Sequence, residues 1–434
     1  MSVKTELGSL RRTHYSTELH NVIESQVTVM GWVFAIRGHG NISFVTIHDK
    51  KGDIQVVAKA GSCPDDVMEK LSSLKPHSTV AITGTVVKST KAPNGVEIVP
   101  KQLCVFSEVV GIPPFEPQAK TVKNIDTRLA IRAIDLRRKT LQDVFNTRNE
   151  VLKALRSYFS KQDFVEVHTP KIIASATEGG SSLFSIFYYD KEAYLAQSPQ
   201  MYKEQLTMSF EKVFEISPIF RAESSRTNKH LSEAISIDIE EAFVDYNDIM
   251  DRVGEMIHIA RDAALKSKES LRAEFNVPNV PKTIPQYTYA KILEMMKNKG
   301  VTSEWGDDLY PSNLEKIHLE GFYFIKDWPL GPKPFYVKAG SDGKTSESFD
   351  LMYGDLELSS GSTRIEKSDD LRRRIMDKGL KVDSFDYHLS TYKYGVPPHA
   401  GCGIGLERLM MALTGTENIR DVAFYPRDVD RLTP

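Results

Sequence analysis

The sequence predicts an α+β fold in two domains. A small five-stranded β-barrel occupies residues 1–108, and a hinge at 109–138 joins it to a larger domain at 139–434, an antiparallel sheet with helices. Three observations predict this. The chain has 434 residues, too many for one ordinary domain at roughly 150 residues each. Runs of β-branched residues separated by turn residues crowd positions 26–106. After residue 139 strand-like and helical patterns alternate irregularly, without the evenly spaced βαβ units of a doubly wound parallel sheet.

The barrel strands read VTVMGWVFAI, ISFVTIHD, IQVVAK, TVAITGTVV and VEIVP, punctuated by Lys51-Gly52-Asp53 and Pro93-Asn94-Gly95. Five strands in so short a span suggest a barrel of the oligonucleotide-binding kind, an OB-fold. Residues 1–110 carry 12 Lys and Arg against 10 Asp and Glu. Charge alone therefore divides evenly between nucleic-acid binding and a purely structural barrel. The connector is turn-rich and then basic, with seven Lys and Arg against two Asp between Gln118 and Lys139. A solvated linker or a backbone-contacting hinge would explain it. Next, Leu141, Val144, Phe145, Leu152, Leu155, Tyr158 and Phe159 recur at helical spacing, which predicts a helix to about Gln162.

Composition narrows the function classes. The 56 Lys and Arg against 58 Asp and Glu leave a net charge of −2, so nothing is globally basic. With 41 % hydrophobic and 26 % charged residues, the chain reads as soluble and globular, not disordered or fibrous. No apolar run approaches ~18 residues, which excludes a membrane span. The opening MSVKTELGSLRRTHYS has no apolar stretch for a secretory signal. Cys63, Cys104 and Cys402 lie far apart, with no CxxC and no Cys/His cluster. That disfavours a disulfide framework or a structural zinc and fits a reducing cytosol.

Five stretches hold candidate chemistry. In VFEISPIFRAESSRTNKHLSEAISIDIEEAF, two strand-like runs flank a loop holding Arg221, Glu223, Arg226, Lys229 and His230. The second run puts Ile235, Ile237 and Ile239 on one face and Ser236, Asp238 and Glu240 on the other. Carboxylates beside a cationic loop suit a charged, polar ligand; an exposed hairpin with solvated charges is the plain alternative. In HAGCGIGLERLMMALTG, Gly401, Gly403 and Gly405 would leave one strand face bare for a planar ring, unless they only permit close packing. Arg408 then sits in the first turn of a helix stopped by Gly415, against the helix dipole, a small cost that an anionic ligand would relieve. In AYLAQSPQMYKEQL, Ser198 caps a helix with Pro199 in its first position, and Gln200 and Lys203 share a face. In DLELSSGSTR, Glu357 and Ser360 suit magnesium carried with phosphates, and Arg364 adds a cation. SATEGGSSLF is a Gly-rich loop with one acid, Glu178.

Taken together, these pieces resemble a known family. FRAESSRTNKHLSEAISIDIEEAF resembles motif 2 of class II aminoacyl-tRNA synthetases, GIGLERLMM resembles motif 3, and the long helix with FVEVHTPKI looks like motif 1. QSPQMYK, TEGGSSLF, FYPRDVDRLTP and the barrel are similar to the archaeal/eukaryotic-type aspartyl-tRNA synthetases, over nearly the whole chain. The resemblance implies a cytosolic homodimer, with Pro170 at the dimer interface, that uses ATP with Mg2+ to join L-aspartate to tRNA through aspartyl-adenylate. It places Arg221 between the substrate carboxylate and the α-phosphate, and Arg408 on the γ-phosphate. The aspartate set it implies is Glu178, Gln200, Lys203, Arg221, Asp238, Ser360 and Arg364. Arg364 would pair with the side-chain carboxylate, assisted by Lys203. The implied ATP set is Arg221, Ala222, Glu223, Lys229, His230, Leu231, Glu357, Gly405, Leu406, Glu407 and Arg408. Glu357 and Ser360 would ligate magnesium.

Two positions depart from the family pattern. Lys229 stands where Arg is usual, which loses the bidentate fork, and Ala234 stands where many relatives have an adenine-stacking ring. In the barrel, Phe44 and Gln55 match the readers of the middle anticodon base. Pro93 stands where enzymes strict for tRNA(Asp) carry Lys; relatives with Pro there charge both tRNA(Asp) and tRNA(Asn), and often carry His where this chain has Phe34. The sequence is thus read as non-discriminating. A strictly tRNA(Asp)-charging enzyme is the nearest alternative. Asparaginyl-tRNA synthetases resemble QLYL where this chain has QMYK, and an asparagine synthetase of this fold lacks the barrel. A non-catalytic RNA-binding protein does not require Arg221, Glu357, Arg364 and Arg408 together.

Overall fold

The computed structural model describes residues 2–92, 94–117, 124–174 and 183–434. Two compact units divide the chain, Met1–Pro114 and Phe115–Pro434.

The first unit is a closed barrel of β1 (Gln26–His39), β2 (Ile42–Asp49), β3 (Gly52–Lys59), β4 (Thr79–Lys88) and β5 (Val96–Ser107). The sheet order is β5-β3-β2-β1-β4, and β4 pairs back with β5 to close it. Helix α1 (Asp65–Ser73) plugs the barrel with Val67 and Leu71. Strict alternation in β2 buries Ser43, Val45, Ile47 and Asp49 and turns Phe44, Thr46 and His48 outward. Phe44 is therefore not barrel core. A bulge between Val33 and Ala35 leaves Phe34 as an extra, exposed residue with its ring 6.3 Å from that of His48. The Gln55 amide donates to Glu97 at 3.1 Å. Pro93 lies outside the described residues.

The second unit is built on an eight-stranded sheet. Its strands are β6 (Val165–Glu166), β7 (Lys212–Phe220), β8 (Glu233–Ala242), β9 (Gln286–Thr288), β10 (Phe322–Lys326), β11 (Ser348–Tyr353), β12 (Leu356–Thr363) and β13 (His399–Gly405). They run in the order β9-β10-β11-β12-β13-β8-β7-β6, antiparallel except for the two short edge strands β6 and β9. One sheet face is apolar. Ile237 and Ile239 of β8 and Ala400, Cys402 and Ile404 of β13 join α2 (Lys139–Lys161), α4 (Tyr246–Leu271) and α5 (Leu406–Thr414) in one buried cluster. Between α2 and α4 in sequence, α3 (Gln200–Phe210) starts one residue later than expected. Pro199 is the N-cap itself, and Ser198 Oγ accepts the Gln200 N–H at 3.3 Å.

The connector corrects an expectation. From residue 124 onward it is not a solvated linker. Arg128 and Arg132 lie 4 % and 1 % exposed, gripped by the wholly buried Asp135 at 2.8 and 2.6 Å. Arg128 also pairs with Asp421, and Arg132 donates to the carbonyls of Arg420, Ala423 and Phe424. Residues from 124 onward thus pack into the larger unit as a buried ionic staple to its C-terminal segment. Removing one member of such a cluster leaves the other charges buried without compensation. Asp135→Asn should therefore lower the urea-unfolding free energy of this unit by about 3–5 kcal/mol. A loss below ~1 kcal/mol, the worth of an exposed pair, would show that both guanidiniums find other partners.

Candidate active site

On its other face the sheet carries rows of polar and small residues, fixed by register. Asp238 of β8, Gly403 of β13, Ser360 of β12 and Asp350 of β11 stand side by side. So do Glu240, Gly401, Ser362 and Ser348. From these rows Asp238, Gly403, Ser360, Ser362 and Ser348 floor a cleft of about 310 Å³ walled by α3, α5 and the loop after β7.

A bulge brings two of the candidates together. Glu357 and Ser360 are three residues apart, which on a regular strand puts them on opposite faces. Leu351 pairs with Ser359 and Met352 with Glu357, so Leu358 is an extra residue in β12. That one-residue insertion returns Ser360 to the side of Glu357, and both line the cleft. Asp350, behind Ser360, was not singled out in the sequence; burial raises its carboxyl pKa, and Lys333 lies 3.2 Å away.

Deeper in the cleft four charges are buried. Arg364 is 3 % exposed and grips Glu240 through Nε at 2.8 Å and Nη2 at 3.2 Å, while Nη1 donates to Ser362 Oγ at 2.6 Å. The Tyr336 ring lies 5.2 Å from its guanidinium carbon. Burial disfavours this charge, but Glu240 outweighs it and raises the Arg364 pKa. Lys203 is likewise buried, with Asp238 at 3.1 Å and Glu240 at 3.3 Å. Burial pulls its pKa down; the two carboxylates carry it above the ordinary value. Its ammonium also donates to the carbonyls of Cys402 and Ile239. An ammonium has three N–H groups and these acceptors use them, so Lys203 acts on a ligand by field, not by a hydrogen bond. Arg364 spends three of its five N–H groups on the protein and keeps two for a ligand.

The glycine alternation has a different cause than a bare platform. A Cβ at Gly401 would overlap the Glu240 carboxylate and the Ile239 carbonyl, so Gly401 makes room for Glu240. At Gly403 it would stand 3.1 Å from Asp238, and only at Gly405, 3.9 Å from Arg408, is the space open. Gly403 and Gly405 line the cleft; Gly401 does not.

At the outer end Arg221, Glu223, Lys229, His230 and Leu231 line the cleft beside Arg408. Arg221 stands 4.0 Å from Glu223. Arg408 donates to the carbonyls of Lys229 at 3.2 Å and Glu357 at 3.0 Å, while Lys229 pairs with Asp355. Burial, then Arg408, push the His230 pKa down, so its ring is neutral at pH 7. Ala234 lines the cleft and offers no ring to stack on.

Three of the ATP-site candidates offer no free side chain to the cleft. Leu406 is fully buried in the apolar cluster, and Ala222 does not line the cleft. Glu407 borders the cleft, but its carboxylate is 4 % exposed, taking the Ile235 N–H at 2.9 Å and pairing with Arg148 at 3.1 Å. It anchors α5. Glu178 lies outside the described residues.

An antiparallel sheet with this polar face, in a chain that also carries a separate barrel, is the architecture of a class II aminoacyl-tRNA synthetase. The chain belongs to the class II tRNA synthetases of the D, K and N group, matched over residues 124–429, and residues 27–105 match the OB-fold nucleic acid binding domain. It is 42 % identical, over 99 % of each chain, to the aspartate–tRNA(Asp/Asn) ligase of Methanococcus vannielii. It is 43 % identical to the enzyme of that name from Methanothermobacter thermautotrophicus, over 99 % of this chain and all of that one. Among solved structures it is similar to asparaginyl-tRNA synthetase from Pyrococcus horikoshii complexed with asparaginyl-adenylate. That likeness has a TM-score of 0.93 and 29 % identity over 98 % of this chain and all of that one. Among the described residues, no helix is long and apolar enough to cross a membrane.

The glycine geometry makes a paired prediction. Gly401→Ala should cost about 1–3 kcal/mol of stability by forcing Glu240 off Arg364, and Gly405→Ala should stay within ~0.5 kcal/mol of wild type. Equal shifts in the two thermal unfolding midpoints would show that Glu240 does not fill the space above Gly401.

Proposed function

We propose that this chain joins L-aspartate to tRNA by way of aspartyl-adenylate, and that it charges both tRNA(Asp) and tRNA(Asn). The observation that carries the first part is the pair of buried cations, Arg364 and Lys203, at the inner end of a cleft whose outer end is lined by Arg221, Lys229 and Arg408. A side-chain carboxylate fits the two N–H groups left on Arg364. A neutral amide accepts only at its oxygen and would turn its own NH2 donor against the second N–H of Arg364, leaving it unpaired in a water-poor site, which costs affinity. This favours aspartate over asparagine, despite the likeness to an asparaginyl enzyme. The shared name of the curated relatives supports both parts.

The chemistry needs no protein nucleophile. An α-carboxylate oxygen of aspartate attacks the α-phosphorus of ATP, and the bond to pyrophosphate breaks. A ribose hydroxyl at the tRNA 3′ end then attacks the acyl carbon and AMP leaves. Arg221 orients the carboxylate and α-phosphate for in-line attack, and Arg408 exchanges its two carbonyl acceptors for the γ-phosphate. Glu357 and Ser360, an oxygen donor set brought to one face by the bulge and backed by Asp350, fit magnesium and would hold it. Magnesium bound with ATP supplies positive charge to the phosphates and the leaving pyrophosphate. Phe44 and Gln55, both facing outward, are positioned for a stacked base and its edge. A homodimer through the exposed stretch around Pro170, and a cytosolic location, complete the proposal.

Arg364→Ala should nearly abolish aspartate-dependent ATP–pyrophosphate exchange, a loss of roughly 3–5 kcal/mol. Lys203→Leu leaves Asp238 and Glu240 with one cation between them, so the aspartate KM should rise far more than the ATP KM. Wild-type exchange in the first variant, or equal KM shifts in the second, would remove these residues from the side-chain pocket.

Charging assays with the two transcripts test tRNA choice. The wild type should aspartylate both, and Pro93→Lys should shift preference toward tRNA(Asp) by on the order of 1–3 kcal/mol, the worth of one base contact. Wild-type charging of tRNA(Asp) alone would refute relaxed specificity and leave the aspartyl assignment standing.

A further inference from the structure

Behind the amino-acid end of the cleft lies a buried polar cluster that the reaction as described does not use. Gln200 lines the cleft at 4 % exposure. One helical turn further on, Glu204 is 1 % exposed and takes the Gln200 Nε2–H at 2.6 Å. The other Glu204 oxygen faces His388 Nε2 at 3.2 Å and His399 Nε2 at 3.9 Å, both rings fully buried. These residues come from α3, from the segment before β13 and from β13 itself.

The proton positions follow from the partners. The Gln205 amide donates to His388 Nδ1 at 3.0 Å, so His388 carries its proton on Nε2, the nitrogen that faces Glu204 at 3.2 Å. His399 Nδ1 must carry a proton, because its partner at 2.8 Å is the Pro397 carbonyl, which only accepts. Its Nε2 then meets Glu204 favourably only when it too is protonated. Burial lowers the His399 pKa, but Glu204 outweighs that and raises it. Burial alone would protonate Glu204; the two histidines hold its pKa below the ordinary value. Arg364, Glu240 and Tyr392 complete the charged and titratable surroundings.

An ionised carboxylate accepts and never donates. Glu204 therefore fixes which way the Gln200 amide points, with Nε2 inward and the carbonyl Oε1 outward. We propose that Glu204 is a positioning residue that makes Gln200 present an acceptor to the α-ammonium of the substrate. This rests on the reading that the cleft takes aspartate with its amino group beside Gln200.

Succinate, which is aspartate without the amino group, separates this role from a merely structural one. In ATP–pyrophosphate exchange, Glu204→Gln should raise the aspartate KM roughly ten- to hundred-fold, the usual range for losing a hydrogen bond to a charged group. The ATP KM and the inhibition constant of succinate should stay within about twofold. The exchange of the two side chains, Gln200→Glu with Glu204→Gln, again turns an acceptor toward the cleft and should regain aspartate affinity. It also gives the reading if the single variant does not fold. An unchanged aspartate KM in Glu204→Gln, equal weakening of aspartate and succinate, or a swap no better than the single variant would each overturn the proposal. Gln200→Met tests the underlying reading separately. If it leaves the aspartate KM unchanged, the amino group does not sit beside Gln200. If it raises that KM while Glu204→Gln does not, only the role of Glu204 fails.

Discussion

The cleft depends on four charges that are stable only together. Lys203 and Arg364 are cations, Asp238 and Glu240 are anions, and all four side chains are nearly inaccessible. Any one of them buried alone would cost several kcal/mol or lose its charge. Glu240 is shared by both cations, so its place fixes theirs, and it can occupy that place only because Gly401 has no Cβ. The cluster is neutral as a whole, yet its hydrogen-bonding capacity is uneven. Lys203 is spent on the protein, and Arg364 retains donors for a ligand. The ligand thus meets one oriented fork backed by the field of a second cation, a geometry more selective for a carboxylate than two mobile lysines would be.

The sheet is the partition that makes this possible. Its strands alternate, so the residues that build the apolar core and those that build the polar floor come from the same few strands. Ile237 and Ile239 fix β8 against the helices, and that placement delivers Asp238 and Glu240 to the other side without further adjustment. Precision in the site is inherited from packing in the core. The bulge at Leu358 is the one break in the alternation of β12, and it falls where Glu357 and Ser360 both need to face the cleft. Without it, one would point into the helices.

Much of this was legible in the residues. The barrel strands, the long helix 139–161 and the two faces of β8 were readable because period-two and period-3.6 patterns record which face is buried. The cleft residues Arg221, Lys203, Glu357, Arg364 and Arg408 were readable from motif resemblance. What pattern could not carry was any fact set by register between distant strands. That Gly401 shelters Glu240, that Leu358 is a bulge and that Asp350 stands behind Ser360 all depend on pairings the local sequence does not encode. The Glu204, His388 and His399 cluster joins residues almost two hundred positions apart, each unremarkable in its own stretch. Arg128 and Arg132 misled for the opposite reason. A basic, turn-flanked segment usually is solvated, and only the buried Asp135 and the distant Asp421 make a staple of it.

The two choices this molecule faces differ in physical kind. Telling aspartate from asparagine is a choice between two acceptor oxygens and one in a dry pocket, where a buried donor left unpaired is penalised. On the proposed reading, telling tRNA(Asp) from tRNA(Asn) turns on a single anticodon base, and one base contact is worth only about 1–3 kcal/mol. A proline in place of a lysine removes a side-chain donor and a positive charge. Changing the amino-acid choice would instead disturb the buried set of Lys203, Asp238, Glu240 and Arg364, in which each charge is compensated by the others. On that reading, relaxed specificity can arise at the tRNA side by one substitution while the aspartate side stays strict.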